Sequence, residues 1–215
     1  MIKVRAPVRI GLFGGGTDLP IFYESNTGYV INMAINLYQT VTIYGKKSQY
    51  LPEDNKDFFK AFINEGGIVH ECDIPIESGL GSSAALAVAL VKADNPEMRP
   101  KEIAEFAWNI ETNRLNLYGG KQDQYASALG AMHQLIFNRN GVEKVRYEDN
   151  VTCWLAENLL LFHLSKSRTN KTLQKELKTI DNKLEYLREL SALTQQADTA
   201  IRLCNLEAVG GLFRE

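Results

Sequence analysis

The chain has 215 residues, 45% of them hydrophobic and 23% charged, and its 24 Lys and Arg against 26 Asp and Glu leave a formal net charge of −2. This composition supports a buried core in an ordinary globular protein, as one large domain or two smaller ones. It excludes a nucleic-acid face built from a basic block or a stripe of interleaved basic and aromatic residues, so an anionic ligand requires a local site.

In chain order, "IKVRAPVRIGLF" alternates like a strand interrupted by Pro7, and "YVINMAINLYQTVTIYG" reads as paired strands rich in Val, Ile, Tyr and Thr. Between them "GGGTDLPIFYESNTG" is glycine-rich and then helical, bounded by Pro20 and Gly28. "DFFKAFINEGG" is a short amphipathic helix stopped by Gly66 and Gly67, and "IVHECDIP" is a strand. Helix signals then dominate. "SSAALAVALVKA" and "RPKEIAEFAWNIETNRL" have helical composition and spacing, the second with Pro100 in its first turn. "MHQLIFNRNGVEKVRYED" reads as a hairpin turning at Asn140-Gly141, "LAENLLLFHLS" as a buried strand, and residues 171–215 as charged helix. Two helices after a last strand lack a sheet to cover, so the second domain reads as unfinished: the chain is expected to be a fragment or to lack residues.

Cys72, Cys153 and Cys204 are odd in number, far apart and without CxxC spacing. That pattern argues against a disulfide framework and against a zinc site, and fits a reducing cytoplasm. The longest uncharged apolar stretch, between Glu77 and Lys92, is too short to span a bilayer, and no signal-peptide core precedes the first glycines. The expectation is a cytoplasmic protein that is neither secreted nor membrane-bound.

The most informative stretch is "PIESGLGSSAALAVAL", residues 75–90. Glycines after a strand let the backbone turn tightly and approach a ligand, and the first turn of the next helix offers unpaired N–H groups at a positive dipole end. Such a site attracts phosphate. Ser82 and Ser83 are suited to capping the helix, donating to phosphate oxygens or ligating Mg²⁺. No Gly-Lys-Ser/Thr ending is present, so this is not a Walker A loop. Composition alone leaves open the alternative that Gly and Ser only allow a capped helix to pack closely.

These residues resemble the phosphate-binding motif of the GHMP small-molecule kinases, the family of galactokinase, homoserine kinase, mevalonate kinase and phosphomevalonate kinase. The resemblance extends to "RAPVRIGLFGGGTDLP" and to "IETNRLNLYGGKQDQYASALG", three separated matches in the family's order that cover roughly residues 1–170. The pairing of "GGGTDLP" with "GGKQDQYASALG" is most similar to the sugar-1-kinase branch typified by D-glycero-D-manno-heptose 7-phosphate kinase, with fucokinase-like kinases near it.

The resemblance implies an α+β fold. Residues 1–155 would form a GHMP kinase N-terminal domain like domain 2 of ribosomal protein S5, and residues 156–215 an incomplete ferredoxin-like C-terminal domain. It implies an ATP-dependent kinase that moves the γ-phosphoryl group to a hydroxyl, anomeric in this branch, of a sugar or sugar phosphate such as a heptose 7-phosphate, with ATP and Mg²⁺ as cofactors and a small-molecule partner. Asp123 falls at the position of the catalytic aspartate, and Arg9 at that of a basic residue beside it and the transferred group. Ser78, Gly79, Leu80, Gly81, Ser82, Ser83 and Ala84 would cradle the nucleotide phosphates. Ser83 and Glu111 would hold Mg²⁺. Gly15, Gly16, Thr17 and Asp18 would receive the sugar, Asp18 by its hydroxyls, and Lys121 and Gln124 would steady substrate phosphate or hydroxyls.

Read without the resemblance, Asp123 is a solvated loop carboxylate or a helix N-cap, Arg9 a cross-strand surface charge, Asp18 a cap before Pro20, Glu111 a helix-surface carboxylate and Lys121 a solvent-exposed loop residue. His70, His133 and His163 belong to no matched motif and read as structural. Trp108 and Phe106 sit at helical spacing and read as core. One departure stands out: the family's third, glycine-rich motif has no counterpart in Leu206–Glu215. A nucleotide-binding homologue without catalysis, or a kinase for a non-sugar alcohol, is therefore the alternative reading.

Overall fold

Val, Ile, Tyr and Thr crowd residues 28–44 with no Gly or Pro between the ends, so nothing turns the chain there. The expected pair of strands is one 17-residue strand, β2 (Gly28–Tyr44). Likewise Pro7 does not break β1 (Ile2–Phe13). β1 lies at the end of the strand order, where a missing N–H is tolerated. The structure is a computed structural model, and it describes residues 1–45, 56–63, 67–75, 78–162 and 182–215. The remaining elements are α1 (Pro20–Tyr23), α2 (Lys56–Phe62), β3 (Gly67–Cys72), α3 (Ser82–Asp94), α4 (Pro100–Asn109), a π-helical turn (Ile110–Arg114), α5 (Gln122–Leu129), β4 (Met132–Asn138), β5 (Gly141–Arg146) and α6 (Asp149–Glu157). Two more helices follow, here α7 (Lys183–Arg202) and α8 (Leu206–Leu212). Strands and helices are mixed and every strand pairing with a defined register is antiparallel, an α+β arrangement.

The chain divides into two compact units. The first comprises Met1–Ile10 and Ala34–Gly130. Here β2 pairs with β3 from Gln39↔Cys72 to Tyr44↔Gly67. α3 is apolar on every side, and residues Ala84–Val91 and Ala93 are all buried. A helix of this kind belongs inside a core. Leu86 and Leu90 of α3 meet Phe59 and Phe62 of α2, Val41 of β2, Ile68 of β3 and Ile103, Ala107 and Ile110 beyond. Each such large side chain contributes roughly 1.5–3 kcal/mol by leaving water. The alanines let neighbours approach the α3 backbone closely. α4 begins as Pro100 predicts: Arg99 N donates to Glu102 Oε2 over 2.9 Å, with Pro at the first helical position. Phe106, expected in the core, is 41% exposed. It stands off the buried face of α4 set by Ile103, Ala104 and Ala107.

The second unit comprises Gly11–Met33 and Ala131–Glu215. The predicted hairpin is present as β4 and β5, but Asn138 pairs with Gly141, so the connecting residues are Arg139 and Asn140 and Gly141 opens β5. β4 also pairs with the first half of β2, from Gly28↔Phe137 to Met33↔Met132. α7 buries Leu187, Ser191, Thr194, Ala197, Ala200 and Ile201, one helical stripe. Ser191 Oγ donates to Thr27 O over 2.9 Å, and Phe13 stacks on Phe213 at 4.5 Å between ring centroids. Tyr147 donates to Asp198 over 2.5 Å; burial and that carboxylate push the Tyr147 hydroxyl pKa up.

The expected buried strand "LAENLLLFHLS" does not form in its described part. Leu155–Glu157 end α6, and Leu160, Leu161 and Phe162 are in irregular chain at 83%, 56% and 75% exposure. His163, Leu164 and Ser165, and the part of the expected C-terminal helix before Asn182, lie outside the described residues, as do Gly66 and the Ile76-Glu77 pair of the glycine-rich stretch. Among the described residues no helix is long and apolar enough to cross a membrane.

Candidate active site

Gly79 and Gly81 take φ of +76° and +72°, the left-handed region that glycine enters without penalty. These two turns lead the chain from residue 78 into α3. Gly81 is the residue preceding the helix, and no side chain caps its first turn. Ser82 and Ser83 are therefore the first helical residues, and the expectation that they cap the helix is corrected. The opening N–H groups of a 13-residue helix are left with its positive dipole end, an arrangement suited to an anion. Ser78 Oγ is buried there with no hydrogen-bond partner among the described residues.

Arg9 ties β1 to this loop and to α5. Its backbone N donates to Leu80 O over 3.0 Å and its Nη1 to Gly79 O over 2.9 Å. Nε and Nη2 donate to Asp123 Oδ1 over 2.8 and 2.6 Å. Both bonds end on one carboxylate oxygen. Asp123 Oδ2 faces the loop, 3.4 Å from where a Cβ on Gly81 would stand. Such a Cβ would also lie 3.5 Å from the Arg9 guanidinium carbon. Gly81 thus keeps the space beside the ion pair open.

At the end of α4 the helix widens into the π turn, a feature common at functional sites. Leu115 N donates to Ile110 O, and Leu117 N to Glu111 O. Glu111 points inward from this turn and is 6% exposed. It is not the helix-surface carboxylate that its position alone allows. Ser83 Oγ donates to Glu111 Oε1 over 2.8 Å, and Gln124 Nε2 to Glu111 Oε2 over 2.7 Å. Burial is the main cause that raises the Glu111 pKa above the ordinary carboxylate value; the two hydrogen bonds oppose it, and the charge of Asp123 adds to it.

Lys121 lies at the start of α5 with 12% of its side chain exposed. Its Nζ is 2.8 Å from Glu105 Oε2 and 4.4 Å from the centre of the Trp108 ring. It is not the solvent-exposed loop lysine that composition permits. Trp108 Nε1 donates to Gly119 O over 3.1 Å, and Tyr125 Oη to Glu105 Oε1 over 2.7 Å. Trp108, expected as plain core filling, is half-buried and holds the 115–121 loop against α4.

The "GGGTDLP" residues lie in the second unit. Thr17 is fully buried, and its hydroxyl donates to Gly14 O and Tyr29 O over 2.8 and 2.9 Å. Asp18 is 1% exposed, and its Oδ1 accepts from Gly16 N over 3.1 Å. It does not cap α1, whose preceding residue is Leu19. Gly16 has φ +98°, Gly15 is exposed, and Gly14 has no room for a side chain, since a Cβ there would stand 1.9 Å from Tyr29 O.

Comparison with known proteins places this geometry. Residues 50–131 match the family described as GHMP kinases N terminal domain, a span that holds the glycine-rich loop, Ser83, Glu111 and Asp123. Over those residues the chain is similar to GHMP kinase N-terminal domains. It is 29% identical over 236 aligned positions to D-glycero-alpha-D-manno-heptose 7-phosphate kinase of Campylobacter jejuni, covering 91% of this chain and 69% of that protein. It is 28% identical over 166 positions to galactokinase of Thermotoga petrophila, covering 63% of this chain and 46% of that one. The crystal structure of a D-glycero-D-manno-heptose 1-phosphate kinase from Bacteroides thetaiotaomicron superimposes with a TM-score of 0.79 at 24% identity, over 99% of this chain and 76% of that chain. The chain therefore has the GHMP kinase fold.

The structure brings together Arg9, Asp123, residues 79–83 and Glu111 within the first unit. Sequence reasoning missed Glu105, Tyr125 and the anchoring role of Trp108, because no motif spacing links α4 to residue 121. It also missed that the Gln124 amide donates to Glu111. Among the histidines, His70 packs its ring on Phe59 with its Nε2 2.5 Å from Gln39 Oε1, and His133 is buried in β4. Both sit in sheet packing.

Proposed function

We propose that the protein is an ATP-dependent kinase that transfers the γ-phosphoryl group to a hydroxyl of a sugar or sugar phosphate, with a heptose 7-phosphate and its anomeric hydroxyl as first candidates. The observation that carries this is the convergence of an uncapped helix N-terminus, the Arg9–Asp123 pair and the Ser83–Glu111 pair around one two-glycine loop. The nucleotide phosphates would lie on residues 78–84, taking hydrogen bonds from the opening N–H groups of α3. Asp123 Oδ2, which Arg9 leaves unengaged, would accept the proton of the attacking hydroxyl while Oδ1 stays anchored. The Arg9 guanidinium would stabilise charge on the transferred phosphoryl group. Asp18, with Gly15, Gly16 and Thr17, is our candidate for gripping sugar hydroxyls, within a division into an N-terminal domain over 1–155 and a partial C-terminal domain over 156–215.

The donors suit a hard cation. Ser83 Oγ and Glu111 Oε1 are adjacent oxygens, and Glu111 is a desolvated carboxylate with no cation among its contacts with the described residues. Among the described residues no cluster of three His, Cys, Asp or Glu side chains forms a metal cage. Mg²⁺ needs only one or two protein oxygens when substrate phosphates and waters complete its shell. When bound it would neutralise charge on the nucleotide phosphates.

The test is ADP release by the full-length protein with ATP, Mg²⁺ and a panel of sugars and sugar phosphates, beside an Asp123→Asn control. Sugar-dependent turnover that the control loses supports the reading. ATP binding without turnover on any sugar overturns it.

A further inference from the structure

We propose that Gln124 is a positioning residue for Glu111: its amide pins one carboxylate oxygen so that the other is presented, with the Ser83 hydroxyl, to the cation. The inference rests on the kinase reading above. Gln124 follows Asp123 directly in the first turn of α5 and is 6% exposed. Its Nε2 donates to Glu111 Oε2 over 2.7 Å, while Ser83 Oγ donates to Oε1 over 2.8 Å. A carboxylate held by a separate donor on each oxygen cannot rotate about its last bond without losing one of them.

The far side of the same amide shows what fixes its orientation. Gln124 Oε1 is buried and has no hydrogen-bond partner among the described residues. An ionised carboxylate only accepts, so the amide must turn its NH₂ group to Glu111 and its oxygen away. An orphaned buried carbonyl carries a desolvation penalty that a purely packing side chain, such as Met or Leu, would avoid. What offsets that penalty is a charge-assisted bond to a desolvated carboxylate. One turn of α5 therefore fixes two carboxylates: Asp123 by its own bonds to Arg9, and Glu111 through Gln124. Residues that orient a metal ligand typically matter about 10–100-fold for metal affinity.

The experiment uses Mn²⁺ as the probe ion, titrated into the full-length protein with ADP and followed by electron paramagnetic resonance, alongside calorimetry of ADP in EDTA. Gln124→Met removes the donor at similar volume. Gln124→Asn keeps an amide but falls one methylene short, and it decides the question if the Met protein does not fold. Both substitutions are expected to weaken Mn²⁺ binding by roughly 10–100-fold and to leave ADP binding in EDTA unchanged. Unchanged Mn²⁺ affinity in the folded variants overturns the inference and leaves the kinase reading standing, as does a raised sugar KM with unaltered Mn²⁺ affinity. Wild-type protein whose ADP affinity is indifferent to Mn²⁺ overturns both.

Discussion

Arg9 holds Asp123 by a single oxygen: Nε and Nη2 converge on Oδ1 over 2.8 and 2.6 Å, and Oδ2 is turned to the space that Gly81 leaves open. An acceptor anchored on one side and available on the other is what a general base requires. Asp123→Asn keeps an oxygen for Arg9 but puts NH₂ where the base should be, so the fold and nucleotide affinity should persist while kcat falls about 10²–10⁴-fold. Arg9→Lys replaces a planar fork with one ammonium that cannot serve Gly79 O and Asp123 Oδ1 together, and should lower kcat about 10²–10³-fold. Steady-state ADP release checks both. A fully active Asp123→Asn protein would remove Asp123 from the chemistry.

Gly79 and Gly81 separate backbone strain from crowding. Both have φ near +75°, so an alanine at either should cost about 1–2 kcal/mol and lower Tm by roughly 2–8 °C. A Cβ on Gly79 meets nothing within 4 Å among the described residues, whereas one on Gly81 comes within 3.4 Å of Asp123 Oδ2. Thermal unfolding should therefore rank the two variants alike, while turnover should fall much further in Gly81→Ala. Equal losses of activity would show that the space beside Oδ2 is unimportant.

The site was legible where chemistry needs residues close in sequence, and obscure where it depends on packing between helices. The 78–84 loop, Asp123 and Arg9 are readable because glycines, a helix start and a charged pair leave local marks. Glu111 was named, but its burial was not readable, since it follows from a π turn and from Gln124 on another helix. Lys121 meets both Glu105 and the Trp108 ring of α4, with no sequence signal joining them. In the fold, β2 was misread as two strands because strand-rich composition carries no information on where pairing partners change: residues 39–44 pair with β3 and 28–33 with β4. Leu160–Phe162 look like a buried strand from hydrophobicity alone, yet hydrophobicity does not supply the neighbours that would bury them.

His70 gives the first unit a pH dependence of definite sign. Burial lowers its pKa below 6.5, so the fold favours the neutral ring. A base with a depressed folded-state pKa gives stability that is present above 6.5 and lost as pH falls toward the folded value. Replacing it by Asn removes that linkage. The Tm of the wild type minus that of His70→Asn should decrease as pH falls from 7 to 5, and a difference that stays flat across this interval would contradict the assignment.

Lys121 carries the sharpest conflict between a substrate role and a structural one. Its ammonium is already occupied by Glu105 Oε2 at 2.8 Å and by the Trp108 ring at 4.4 Å, and Trp108 in turn grips Gly119. Lys121→Met should therefore loosen the 115–121 loop and destabilise the protein by about 1–2 kcal/mol, since Glu105 is partly screened by solvent and the cation–π contact is modest. A double-mutant cycle with Glu105→Gln should show coupling, because the second substitution removes the partner that the first has already lost. A residue whose main work is to bind a sugar phosphate behaves differently. Its loss would leave Tm unchanged and raise KM for a phosphorylated sugar while sparing the unphosphorylated one, and that pattern would return Lys121 to the substrate-contacting residues.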